Sequence, residues 1–278
     1  MVALPSSPND PTRRVDPEQL YRSAPRLWRA ALRVDRLVVA ATGRLEVSGD
    51  VTDAVRGGPV LLAANHIGNV DALVLMAACA RQRIPVRFLA TGGLFDTPVL
   101  GHLLRATGHV RADRGTRTVA EALDRVVHAL ADDPRPVLVY PEGRISREPG
   151  LWPERGKTGI SRMALASGAA VIPVSQWGAH EAIDYGAVRP GSARDILALA
   201  GSWVRALRRR PRLRVHFGAP VDLSGLSAER TGDAARARDR IMRAITAGLV
   251  ELRPDEPDTP AHVDPTRPTT GKRSPWRP

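Results

Sequence analysis

Between two apolar runs, the stretch "LLAANHIGNVDALVLMAA" (residues 61–78) places Asn65, His66, Asn69 and Asp71. An imidazole can take a proton from a hydroxyl near neutral pH, and a carboxylate on its other nitrogen fixes tautomer and orientation. His66 and Asp71 are therefore the candidate catalytic pair. On one continuous helix, positions five apart point away from each other. The two side chains meet only if His66 lies in the turn after a strand and Asp71 in the first turn of the next helix. A carboxylate is favourable there, and Gly68 and Asn69 suit such a turn. In the alternative reading Asp71 only caps the helix and His66 is an ordinary loop residue.

Two other loops concentrate polar groups. "GHVRADRGTR" (residues 108–117) supplies Arg111, Arg114 and Arg117, whose guanidinium forks match phosphate. Its alternative is a solvated basic loop paired with Asp113. "YPEGRISR" (residues 140–147) brings Glu142, Gly143, Arg144 and Arg147 to the end of the apolar run "PVLVY". Gly143 allows close backbone approach to a ligand, and Glu142 can accept hydrogen bonds from a substrate hydroxyl. Its alternative is a turn holding a structural Glu–Arg pair.

These loops need strands and helices to present them. Residues 25–43 read as an amphipathic helix with a basic side, opened by Pro25 and stopped at Gly43. Either it meets a membrane surface or it packs on the domain. Short apolar, β-like runs then alternate with helix-like ones: "RLEVSG", "PVLLAAN", "VRFLA", "HVRA", "PVLVY", "AAVIPVSQW" and "LRVHFG" as strands, with helices between them and a last helix over about 227–252. That alternation predicts an α/β fold with a mixed, largely parallel central sheet flanked by helices. Sites in such sheets gather beyond the C-terminal ends of strands.

Composition narrows the partners. The 278 residues carry a net charge of +12, and only Lys157 and Lys272 are lysines. Residues 1–16 and the Pro-rich residues 255–278 are each charge-balanced and lack apolar periodicity, so both are expected to be disordered. The cationic excess then belongs to residues 17–254, with residues 17–43 as an N-terminal helical segment and 44–254 as the α/β domain. An anionic partner is implied. Aromatics interleaved with basic residues, the usual platform for nucleic acid, are not found, so no nucleic-acid partner is expected. The lone Cys79 lies in an apolar run and reads as a core residue. No stretch approaches the ~18 apolar residues of a membrane span, and the N-terminus lacks a signal-peptide pattern. A cytoplasmic location with peripheral membrane association is expected.

The order of the blocks adds a resemblance. Asn65, His66 and Asp71 fit N-H-x-x-x-x-D. Gly108 and Arg114 fit a glycine followed six residues later by arginine. Tyr140–Ser146 fits F-P-E-G-T-R-S, and Val171–Val174 reads V-I-P-V. Over residues 45–220 the chain resembles the 1-acyl-sn-glycerol-3-phosphate acyltransferases. In the third block Arg144 stands where that family has Thr, and Ile145 where it has Arg.

The resemblance implies transfer of a fatty acyl group from acyl-CoA or acyl carrier protein to the free hydroxyl of a lysophospholipid, lysophosphatidate, giving phosphatidate, without metal or cofactor. An anionic membrane surface would supply the acceptor. His66 would be general base and Asp71 its orienting partner. Asn65, Gly108, Arg114, Glu142, Gly143, Arg144 and Arg147 would bind substrate. Backbone N–H groups near Gly143 are candidate oxyanion donors. The displaced Arg keeps another lysolipid or glycolipid acceptor open, and a non-catalytic lipid- or nucleic-acid-binding protein is the remaining alternative.

Overall fold

The computed structural model describes residues 16–112, 116–188 and 192–278, apart from the side chains of 116–120, 122 and 188. The N-terminal segment expected to be disordered therefore lies outside the described residues up to position 15. Seven strands form one sheet: β1 (Arg44–Gly49), β2 (Val60–Ala64), β3 (Arg87–Thr91), β4 (Val110–Ala112), β5 (Val137–Val139), β6 (Ala170–Trp177) and β7 (Arg212–Phe217). Their spatial order is β1-β7-β6-β2-β5-β3-β4. Every neighbouring pair is parallel except β6 and β7, so β1 and β7 run opposite to the other five.

The helices are α1 (Pro17–Ser23), α2 (Arg26–Thr42), α3 (Thr52–Arg56), α4 (Asp71–Arg81), α5 (Gly92–Phe95), α6 (Pro98–Ala106), α7 (Thr116–Asp132), α8 (Gly159–Ser167), α9 (Ala193–Arg209) and α10 (Asp233–Leu252). The last begins six residues later than its apolar pattern suggests. Gly232, with φ of 89°, ends the preceding turn, and the Asp233 carboxylate accepts the Ser227 N–H.

Strand β2 explains where the core sits. All five of its residues are buried, as expected for a strand covered on both faces. Side chains alternate across a strand. Leu62 and Ala64 pack with Val74, Leu75 and Ala78 of α4 and with Ile172 and Val174 of β6. Leu61 and Ala63 face the other layer, with Ile160 and Met163 of α8 and Ile241, Met242 and Ile245 of α10. Each buried Leu contributes roughly 1.5–3 kcal/mol. The strand is thus clamped from both sides, and its C-terminal end is a rigid base for the loop that follows. Cys79 is fully buried in the first layer.

Helix α2 packs on the domain through Trp28, Leu32, Asp35, Val39 and Thr42, while Leu27, Val34 and Leu37 stay exposed. Asp35 is an odd member of that buried face. Neither of its carboxyl oxygens has a hydrogen-bond partner among the described residues, and burial raises its pKa from 3.8 to about 7. The folded chain therefore keeps a proton that the unfolded chain releases. Its contribution is fully present below about pH 4 and is lost as pH rises toward about 7, at about 1.4 kcal/mol per unit. Asp35→Asn, neutral throughout, is expected to flatten this part of the melting-temperature profile between about pH 4 and pH 8. An unchanged slope would assign the effect elsewhere.

The C-terminal segment departs from the expectation of disorder. After α10, residues 255–278 run without helix or strand across the loop that joins β5 to α8. Thr270 N–H donates to Arg147 O at 2.9 Å, Ser274 Oγ to Pro153 O at 2.5 Å and Trp276 Nε1 to Glu154 O at 3.1 Å. Just before it, the buried Arg253 guanidinium lies 4.4 Å from the Trp152 ring centre and 4.0 Å from that of Trp177. Composition alone suggests disorder because the segment has few apolar residues to make a core of its own. Its partners are instead carbonyls of an irregular loop far away in sequence.

Candidate active site

The chain leaves β2 at Ala64 and is fixed at once. Asn65 is fully buried; its Oδ1 accepts Gln176 N–H at 2.8 Å, its Nδ2 donates to Gln176 O at 3.0 Å, and Gln176 Nε2 donates to Asn65 O at 2.8 Å. These bonds tie the end of β2 to the end of β6. Asn65, expected at the substrate, is instead consumed by the scaffold.

His66 is the next residue, and Asp71 opens α4. His66 Nδ1 lies 2.7 Å from Asp71 Oδ2, and the same oxygen accepts Ile67 N–H at 2.6 Å and Gly68 N–H at 2.9 Å. The spacing of five works because His66 stands before the helix and Asp71 reaches back over the turn. Gly68 suits the close approach here: a Cβ would sit 3.1 Å from the His180 backbone, tighter than most such contacts. Asp71 is fully buried, whereas the His66 side chain keeps 20% of its surface exposed. With Nδ1–H given to the carboxylate, Nε2 is the nitrogen left to act as a base.

The loop after β5 closes the other side. The Tyr140 ring stacks on His66, with centres 4.0 Å apart and planes 14° apart. Glu142 Oε1 accepts His66 N–H at 2.9 Å, and Ser146 N–H donates to His66 O at 2.7 Å. The His66 backbone is thus held at both its N–H and its C=O. Glu142 Oε2 accepts Glu154 N–H at 2.8 Å. Burial pushes the Glu142 carboxyl up to about 8, against the pull of these two N–H bonds. Expected to meet a substrate hydroxyl, Glu142 instead holds two loops together, because both oxygens are taken by backbone amides.

Other expected contacts are also redistributed. Arg144 is exposed and pairs with Glu154 at 2.6 Å, and Arg147 N–H donates to Glu154 Oε1 at 2.9 Å. The structural Glu–Arg pairing considered for this loop therefore exists, but with Glu154 as its acid. Gly143 adopts φ of 69°, which favours glycine, and its N–H donates to Tyr140 O at 3.0 Å. That bond removes it as an oxyanion donor. Gly108 precedes β4 and so lies at the opposite edge of the parallel sheet from His66. Its φ is 78°, and a Cβ there would meet the Arg135 guanidinium at 2.4 Å. It is a packing residue, not a substrate contact. Arg114 lies outside the described residues.

Sequence reasoning also missed neighbours. Tyr140 was read only as part of a motif, Gln176 only as part of a strand, and Glu154 not at all. Lys157 is exposed and its Nζ would lie 3.1 Å from a Cβ on Gly143. The signal for Lys157 was its rarity in a chain that otherwise uses Arg. Arg267, from the C-terminal segment, donates to Ile67 O and Ser146 O; no local pattern announces it.

A second feature borders the pair. A cavity of about 330 Å³ lies between α2, α4 and α9, walled by apolar groups of Val38, Val70, Val74, Ile183, Ile196 and Trp203 among others. Val70 is the residue before Asp71, so this apolar space reaches the wall of the turn that holds His66 and Asp71. Beside it, Leu37 on α2 and Ile196, Leu197, Trp203 and Val204 on α9 are exposed. Among the described residues, no helix is long and apolar enough to cross a membrane.

Residues 44–177 match the family described as Acyltransferase. The chain is 28% identical over 224 residues to a 1-acyl-sn-glycerol-3-phosphate acyltransferase of Neisseria meningitidis serogroup B, covering 80% of this chain and 82% of that relative. It is 31% identical over 116 residues to one of Neisseria gonorrhoeae, covering 42% and 43%. The crystal structure of the 1-acyl-sn-glycerophosphate acyltransferase of Thermotoga maritima superposes with a TM-score of 0.53 over 81% of each chain at 18% identity. That similarity concerns the fold.

Proposed function

We propose that the chain, whose residues 44–177 match the Acyltransferase family, moves a fatty acyl group from a thioester donor, acyl-CoA or acyl carrier protein, onto the free hydroxyl of lysophosphatidate, giving phosphatidate. The observation that carries this reading is the His66–Asp71 contact of 2.7 Å with the other imidazole edge open. Nε2 of His66 takes the hydroxyl proton as the alkoxide oxygen attacks the thioester carbonyl. The tetrahedral intermediate expels the thiolate, which receives the proton back from the imidazolium. Asp71 stabilises the imidazolium in between. The acceptor hydroxyl is itself the nucleophile, so no acyl-enzyme forms.

The remaining assignments follow from position. Arg144 is already paired with Glu154, so Lys157 beside the Gly143 turn, with Arg147, would hold the acceptor phosphate; Arg114 would join them on its place in the sequence motif alone. The apolar cavity next to Val70 would receive an acyl tail. The exposed apolar residues of α2 and α9, set among Arg33, Arg36 and Arg208, would rest on an anionic lipid surface, where each nearby arginine adds about 1 kcal/mol. On this reading the enzyme would work as a peripheral protein at the cytoplasmic face of the cell membrane.

The engagement of Arg144 also favours a second reading, in which the acceptor is another lysolipid or a glycolipid. A screen of purified protein decides: acyl-CoA and acyl carrier protein donors against lysophosphatidate, other lysolipids and mannosides in detergent. The proposal expects phosphatidate as the main product. Acylation of another acceptor but not of lysophosphatidate would select the second reading. No transfer to any acceptor would remove both.

A further inference from the structure

The C-terminal segment reaches the catalytic turn through one side chain. Arg267 Nη2 donates to Ile67 O at 2.5 Å and Nη1 to Ser146 O at 3.2 Å. Those carbonyls belong to the two loops that hold His66. The Ile67 carbonyl shares its peptide group with Gly68 N–H, which donates to Asp71 Oδ2 at 2.9 Å, and that oxygen holds His66 Nδ1. One chain of hydrogen bonds therefore runs from the guanidinium through a single peptide group to the carboxylate and the imidazole. Such chains polarise each member in turn.

The guanidinium is itself held in place. The carboxylate of Asp264 accepts N–H groups from Thr266 and from Tyr185, and Thr270 N–H is bonded to Arg147 O. The Arg267 guanidinium lies 5.6 Å from the Tyr185 ring centre, and Asn69 of the catalytic turn donates to Tyr185 O at 3.1 Å. The segment, the Tyr185 loop and the turn thus form a closed ring of contacts. Of these residues, Tyr185, Asp264, Thr266, Arg267 and Thr270 lie beyond the residues 44–177 that match the family.

We infer that Arg267 is a positioning residue for acyl transfer, its fork locking the His66–Asp71 turn to the Glu142 loop so that the C-terminal segment completes the active site. This rests on His66 being the base. Arg267 touches backbone carbonyls, so its loss misplaces the catalytic pair without removing a substrate contact. Misplacement of this kind costs about 10- to 100-fold in rate.

The test is steady-state kinetics of the full chain with acyl-CoA and lysophosphatidate. It compares wild type, Arg267→Ala, Arg267→Lys, Arg277→Ala and His66→Ala, each with its melting temperature. Arg267→Ala should lose about 10- to 100-fold in kcat, with both KM values within about two-fold. Guanidinium ion added to Arg267→Ala should restore part of the rate. Arg267→Lys, which cannot fork between two carbonyls, should lie between it and wild type. Arg277→Ala, elsewhere in the segment, should keep wild-type kcat.

Wild-type kcat in Arg267→Ala beside an inactive His66→Ala would overturn the inference and leave the base assignment standing. A raised kcat would do the same, making the segment a lid. An active His66→Ala would instead fail the reading on which the inference rests. Should Arg267→Ala not fold, Arg267→Lys decides: reduced kcat at wild-type melting temperature supports the inference, and unchanged kcat removes it.

Discussion

Replacing His66 with alanine is expected to lower kcat for acyl transfer by about 100- to 10,000-fold, the usual contribution of a positioned general base. The fold should hardly notice. The lost ring is one-fifth exposed, and its main packing partner is the stacked Tyr140 ring, an interaction worth about 0.5–1.5 kcal/mol. The backbone bonds to Glu142 and Ser146 do not involve the imidazole, so the loops should keep their places. Kinetics paired with a melting curve check both halves. A variant with near-normal turnover would remove His66 from the chemistry.

Asp71→Asn is expected to cost kcat on a similar scale, about 100-fold or more, because the neutral amide no longer stabilises the imidazolium. Here the comparison with Asp71→Ala is informative. One carboxylate oxygen receives His66 Nδ1 and the amides of Ile67 and Gly68, while Oδ1 has no partner among the described residues. An Asn carbonyl can replace the busy oxygen, so the turn survives. Alanine leaves two buried N–H groups unbonded, at about 1–3 kcal/mol each. The expected pattern is two variants with similarly low kcat, of which only Asp71→Ala melts clearly lower. Full activity in Asp71→Asn would show that the carboxylate serves the turn alone.

The way from sequence to this site was uneven, for physical reasons. The junction of β2 and α4 was visible because polar residues break an apolar strand pattern and a helix pattern at the same point. The reach from His66 to Asp71 followed from where the helix must begin. The largely parallel sheet followed from alternating short β-like and helical runs. The reversed direction of β1 and β7 did not, since apolar patterns carry no strand direction.

At the site, residue type was legible but partner was not. Glu142 was recognisable as an acid in the loop at the end of a strand, yet its two backbone donors include an amide twelve residues away at Glu154. Arg144 carries a charge that suits phosphate, yet Glu154 reaches it first. Gly108 matched a motif while lying at the far edge of the sheet, because a motif does not say on which side of a strand it falls. The C-terminal segment was hidden most completely. Its order comes from carbonyls 120 or more positions earlier, and composition within the segment holds no trace of them.

The most direct measurement is the rate of phosphatidate formation from acyl-CoA and lysophosphatidate by purified wild type and His66→Ala at matched thermal stability. The geometry predicts steady product from the first and at least about 100-fold less from the second. Equal rates, with both proteins folded, would contradict it.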